Sequence, residues 1–133
     1  KMAATSDKVL FELLENDNAY ENIDTVIERS LKIKRAVVEE DEKELGLRRV
    51  LNFGHTVAHA IETATGLGDL LHGECVAIGM LAFSSQKVRE RLVKVLSKYN
   101  LPVYFNFSSD KIPLPLCHNK QANSTRLNAV FVN

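Results

Sequence analysis

The feature that most constrains this chain is the spacing of its apolar side chains. They recur every three or four residues at Val9, Leu10, Leu13 and Leu14, at Ile23, Ile27, Leu31 and Val38, and at Val88, Leu92, Val95 and Leu96. Such spacing gathers them on one side of a helix and scatters them across a strand. Ser6-Asp7 is placed to cap the first of these helices. Asn22 or Asp24 opens the second, which is expected to run to about Glu44 and stop at Gly46. Ser85 caps the last, and Asn100-Leu101-Pro102 closes it. Between them, one helix is expected from Leu47 to about Thr65, stopped by Gly66-Leu67-Gly68, and another from His72-Gly73-Glu74 to Ser84. Beyond Pro102 the pattern changes. Val103 to Phe107 reads as extended, Pro113 and Pro115 forbid a regular helix, and Leu127 to Val132 reads as a short strand. The expected fold class is mainly α, with a small irregular or β tail.

Composition removes several function classes. The 133 residues make one domain, and 45% hydrophobic content is too apolar for a disordered chain. Lys+Arg and Asp+Glu both count 17, which speaks against a generally basic nucleic-acid binder. The longest strongly apolar run, Val76 to Phe83, falls far short of the roughly 20 residues a bilayer needs, so no membrane partner is expected. Cys75 and Cys117 have no CxxC spacing, which fits a reducing, cytoplasmic setting. Charge is divided unevenly: residues 1–74 hold 15 acidic and 9 basic side chains, residues 75–133 hold 2 and 8. The two halves can simply face each other or solvent, or the basic half can help hold an anion. The acidic run Glu39 to Glu44 reads as a solvated face; as a last helical turn it opposes the helix dipole.

The segment after that run carries the chemistry. Arg48, Asn52, His55 and His59 lie at i, i+4, i+7 and i+11, one face of a single helix at about 100° per residue. Val50, Val57 and Ile61 fall on another face, the expected core contact. The HxxxH pair His55 and His59 can place two imidazoles on one metal ion, or can be two surface or hydrogen-bonded histidines. His72 follows at the start of the next helix. Gly54 inside a helix costs about 1 kcal/mol against Ala, a cost explained if backbone or ligand approaches there. Arg48 can grip a carboxylate or phosphate in a bidentate fork. Lys34 and Lys120 add cations, although a lone lysine is ordinarily a solvated surface residue.

These residues resemble a known family. Leu51-Asn52-Phe53-Gly54-His55-Thr56-Val57-Ala58-His59-Ala60-Ile61-Glu62 and Leu71-His72-Gly73-Glu74-Cys75-Val76-Ala77-Ile78-Gly79-Met80 are similar to the two signature stretches of 3-dehydroquinate synthases. Lys34 to Val38, Asp41 to Glu44 and Gly46-Leu47-Arg48 resemble a third. Asn100-Leu101-Pro102 and His118-Asn119-Lys120-Gln121 extend the likeness more weakly. Three departures stand out: Ala58 where glycine is common, Asn119 where aspartate is common, and a shorter stretch between Met80 and Pro102.

The resemblance implies that residues 1–133 are the helical C-terminal metal- and substrate-binding domain of a dehydroquinate synthase-like fold, truncated at both ends. The N-terminal Rossmann-like domain, which binds NAD, would lie outside it. By resemblance, His55 and His72 are ligands of Zn²⁺ or Co²⁺, and the third ligand is a glutamate three residues before Lys1. His59 then faces the substrate's phosphate, and Lys1, Lys34, Arg48, Asn52 and Lys120 contact its carboxylate, hydroxyls or phosphate. The implied reaction converts 3-deoxy-D-arabino-heptulosonate 7-phosphate to 3-dehydroquinate and phosphate, in the shikimate pathway. The implied partner is a small sugar phosphate, with a homodimer for the full-length protein and an inactive isolated domain. Rival readings are a related cyclase such as 2-deoxy-scyllo-inosose synthase, an iron-dependent alcohol dehydrogenase, or a helical interaction module without catalysis.

Overall fold

The structure is a computed structural model, and it describes residues 1–43, 45–65 and 70–105. It is mainly helical, as expected, with no β-strand among the described residues. Among the described residues six α-helices follow in order: α1 (Met2–Ser6), α2 (Lys8–Asn16), α3 (Ile23–Glu40), α4 (His55–Thr65), α5 (His72–Ala82) and α6 (Gln86–Lys98). A 3-10 helix, Leu47–Asn52, lies between α3 and α4. Val103 to Phe105 form no regular element. The Gly66-Leu67-Gly68 stop, Cys117, His118 to Gln121 and the expected strand 127–132 lie outside the described residues. No described helix is long and apolar enough to cross a membrane.

The core is built around α5. Its residues from Cys75 to Leu81 are all buried, a helix apolar on every side and surrounded by the others. Phe53, Val57, Ala58 and Ile61 cover one side of it, and Leu92, Val95 and Leu96 of α6 join Leu10 and Phe11 of α2 in the same core. Two glycines let α4 approach. Gly54 has φ +84, a conformation that a side chain rarely adopts, and a Cβ there would meet the Met80 nitrogen and the Val76 oxygen at 2.8 Å. A Cβ on Gly79 would land on the Gly54 carbonyl itself. The expected helix from Leu47 to Thr65 is therefore broken: the chain turns at Phe53-Gly54 and starts α4 afresh at His55.

Polar anchors fix the remaining helices. Asp7 caps α2 by accepting the Leu10 N–H at 2.9 Å, and it also accepts two bonds from Arg29 of α3, both at 2.8 Å. Glu15 of α2 takes a second bidentate pair from Arg91 of α6, whose guanidinium lies 4.6 Å from the centre of the Phe11 ring. Lys98 Nζ donates to the Leu14, Glu15 and Asp17 carbonyls, satisfying acceptors left open at the end of α2. Arg89 does the same for α5, donating to the Leu81 and Ser84 carbonyls. At the end of α6, Asn100 takes φ 55, and the Leu101 N–H bonds back to the Leu96 carbonyl at 2.9 Å. This left-handed cap ends the helix where the sequence places its stop.

Two expectations change. Helix α3 ends at Glu40, not near Glu44, because Asp41 is not part of a solvated face. It is buried, and its carboxylate accepts the backbone N–H groups of Leu45, Gly46 and Arg48 at 2.7, 2.8 and 2.9 Å. Helix α3 also carries two apolar stripes. The structure covers Val26, Ile33 and Val37, while Ile23, Ile27 and Leu31 stay exposed.

Gly79→Ala should cost about 1–3 kcal/mol or more, since the neighbouring atoms are backbone and cannot step aside. Gly73→Ala, where a Cβ meets nothing within 4 Å, should leave stability nearly unchanged. Urea melts of both variants test this, and equal stability of the two would contradict the close contact. The carboxylates give a second test. The hydrogen bond from Arg29 holds Asp7 below its ordinary pKa, and that from Arg91 does the same for Glu15. A depressed carboxylate stabilises the fold above its unfolded pKa of about 4 and loses that effect as pH falls through the folded value. Asp7→Asn, which keeps a capping oxygen, should weaken the protein at pH 7, with the gap to the wild type closing as pH falls below the ordinary carboxylate range.

Candidate functional site

The break at Gly54 decides where the chemistry-bearing side chains go. His55 is the first residue of α4, His59 lies one turn on, and His72 is the first residue of α5. Because α4 rests directly on α5, the three imidazoles gather. Ring centroids are 5.8 Å apart for His55 and His59, 5.2 Å for His55 and His72, and 6.2 Å for His59 and His72. Helix starts carry partial positive charge, which favours an anion nearby.

Lys1 stands beside them, with the Lys34 charge near enough to act on it. Lys1 Nζ donates to the Leu51 carbonyl at 2.5 Å, at the end of the 3-10 helix. Burial, and then the Lys34 charge, hold the Lys1 amine below its ordinary pKa. His55 is also depressed from its ordinary 6.5: by burial first, then by Lys1, with smaller contributions from His72 and His59. A neutral imidazole is the form that offers a lone pair to a metal.

The ring anchoring separates the three histidines. His55 Nδ1 faces the Phe53 carbonyl at 3.4 Å, and His72 Nδ1 meets the Glu62 carboxylate at 2.6 Å. Both contacts engage Nδ1 and leave Nε2 without a hydrogen-bond partner among the described residues. Among the described residues the His59 ring has no such anchor. His55 and His72 are thus the two residues that could offer Nε2 to a metal ion. Among the described residues no group of three His, Cys, Asp or Glu side chains is spaced to hold one.

The expectation that Arg48, Asn52, His55 and His59 share one helical face does not hold. The first two belong to the 3-10 helix and the last two to α4, and the turn at Gly54 reorients one against the other. Arg48 stands at the Asp41 corner, where its Nη1 donates to the Glu42 carbonyl at 3.3 Å. Asn52 is exposed at the end of the 3-10 helix. Lys120 lies outside the described residues. Glu62 is the residue that the sequence reading missed as a partner of the site. Its signal was present: it sits seven residues after His55 and three after His59, on the same face of α4.

Comparison with known proteins bears on this arrangement. Residues 1–122 match the family model for 3-dehydroquinate synthase, C-terminal. The 3-dehydroquinate synthase of Campylobacter curvus is 48% identical over 116 residues, covering 79% of this chain and 34% of that protein. That of Campylobacter concisus is 43% identical over 120 residues, covering 83% and 35%. That of Streptococcus thermophilus is 36% identical over 147 aligned positions, covering 99% and 41%. The chain therefore spans between a third and about two fifths of the length of these relatives. It is also shorter than the 147-position alignment, so the streptococcal protein carries residues this chain lacks.

The charges at the site predict how His55 titrates. Its ring should titrate below 6.5, followed by NMR, and Lys1→Gln should raise that value by removing the nearby cation. The sign for stability follows: the folded state resists protonation here, so His55 adds stability above about pH 6.5 and loses it as pH falls through its folded value. A wild-type value at or above 6.5 would contradict the buried placement.

Proposed function

Because this chain belongs to the 3-dehydroquinate synthase C-terminal family, we propose that it is the part of such an enzyme that holds the metal and the sugar-phosphate substrate. The reaction in this reading converts 3-deoxy-D-arabino-heptulosonate 7-phosphate to 3-dehydroquinate and phosphate. The observation that carries it is the gathering of three imidazoles beside the Lys1 ammonium group, two of them with Nε2 unbonded among the described residues and with the Lys34 charge close to Lys1. A sugar phosphate acid needs cations for its carboxylate and phosphate, and nitrogen donors suit Zn²⁺ or Co²⁺.

The roles divide by environment. His55 and His72 would hold the metal through Nε2, and a ligand from outside the described residues would complete the site. When bound, the metal would polarise a secondary alcohol and NAD, held by a domain outside these residues, would take and return its hydride. His59, with a ring free of anchors among the described residues, is placed to hydrogen-bond the departing phosphate or hand it a proton. Lys1 and Lys34 would offset the charge of the substrate. Arg48, Asn52 and Lys120 enter as substrate contacts by resemblance alone. The related-cyclase alternative is not favoured, since the relatives compared are named 3-dehydroquinate synthase.

The test is a chimera in which this chain replaces the matching segment of the Campylobacter curvus protein. With NAD and Zn²⁺ or Co²⁺ it should release phosphate from the heptulosonate phosphate. His55→Ala or His72→Ala should lose metal and activity together. His59→Ala should keep its metal and lose rate by about 10²–10⁴-fold, the usual worth of a proton-transfer group. A folded chimera that binds NAD but releases no phosphate would overturn the reading, and equal metal loss in all three variants would overturn the division of roles.

A further inference from the structure

Glu62 has no part in the proposed reaction, yet its side chain is only 16% exposed and its carboxylate reaches across from α4 to the first residue of α5. The contact is His72 Nδ1 to Glu62 Oε1 at 2.6 Å, within the range of a charge-assisted hydrogen bond. An ionised carboxylate only accepts, so the proton must sit on Nδ1. In a neutral ring this leaves the Nε2 lone pair bare, whereas a free neutral histidine prefers the proton on Nε2. The bond also fixes the rotation of a ring that is otherwise 58% exposed.

We propose that Glu62 is a positioning residue for metal binding: it holds His72 in the Nδ1–H tautomer and aims its Nε2 at the ion. This rests on the reading of His55 and His72 as metal ligands. The alternative is that Glu62 and His72 are an ordinary ion pair tying α4 to α5. That alternative demands a protonated imidazolium, and an exposed pair of that kind is worth at most about 1 kcal/mol. It predicts a ring protonated on both nitrogens and no link to metal. Carboxylates that accept from a ligating imidazole typically change metal affinity by about 10–100-fold.

The experiment reads the ring itself. Long-range ¹H–¹⁵N NMR of the metal-free chain above pH 7.5 reports which nitrogen of His72 carries the proton, and Zn²⁺ titration of the Campylobacter curvus chimera, which supplies the ligand from outside these residues, then reports the affinity. His72 should be Nδ1–H in the wild type and shift towards Nε2–H in Glu62→Ala. Zn²⁺ binding should weaken by about 10–100-fold in Glu62→Ala. In Glu62→Gln, which keeps a neutral acceptor and guards against misfolding of the alanine variant, the tautomer should be retained and the loss should be smaller. A wild-type His72 protonated on Nε2, or a zinc affinity unmoved in both variants while His72→Ala abolishes it, overturns the proposal. If Zn²⁺ moves neither His55 nor His72 signals in the wild-type chimera, the metal reading fails and the proposal with it. The tautomer data then show separately whether Glu62 still orients the ring.

Discussion

The rest of the molecule depends on the meeting of two glycines. The Gly54 carbonyl occupies the space where a side chain on Gly79 would stand, so α4 begins in backbone contact with α5. That contact sets the distance between the helices, and the distance sets the spacing of the imidazoles. With a side chain between them, α4 would stand off, and His55 and His59 would draw away from His72. The positive φ at Gly54 serves the same end: it turns the chain sharply enough for His55 to open a new helix and not continue the old one.

Rigidity is supplied away from the site. Asp7 with Arg29, Glu15 with Arg91, and Lys98 with the last carbonyls of α2 bind the outer helices to each other. Exposed ion pairs add little, but Asp7 also caps the start of α2 and Lys98 settles carbonyls at its end, groups that would otherwise stay open. The buried length of α5 then makes one floor for the site. Side chains at its first turn can be exposed and chemically useful because the turns after it are packed on all sides.

Much of this was legible in the sequence. The Asp7 cap, the extent of α6 and its stop at Asn100 followed from local chemistry: an N-cap carboxylate, a run of apolar residues at helical spacing, and an asparagine that tolerates left-handed backbone. The gathering of His55, His59 and His72 followed from the family likeness and from helix geometry together. What was not legible was tertiary. The cost of Gly54 pointed to a close approach, but not that the approach would break the helix, since Gly79 lies 25 residues further on and looked like one more small residue in an apolar run. Asp41 was hidden by its neighbours: in a run of acidic residues nothing local marks the one whose carboxylate faces inward to collect three N–H groups. The exposed stripe on α3 has the same origin, because periodicity shows that a helix has an apolar face but not which of two faces the fold will cover.

Electrostatics ties the site to its use. Lys1 and Lys34 repel each other, and Lys1, His55, His59 and His72 crowd positive or protonatable groups at two helix starts; burial first, and that crowding after it, depress the pKa values of Lys1 and His55. A fold selected for stability alone would disperse such groups or interleave them with acids, and this chain has acids to spare in its first half. Of these, Glu62 bonds a site residue directly, through Nδ1 of His72 and so on the side away from its free nitrogen. In the proposed reading, this crowding is a cost that falls when an anionic substrate or a metal ion binds there. The packing of α4 on α5 supports that cost from outside the site, which is why the same two glycines that shape the fold also underlie its chemistry.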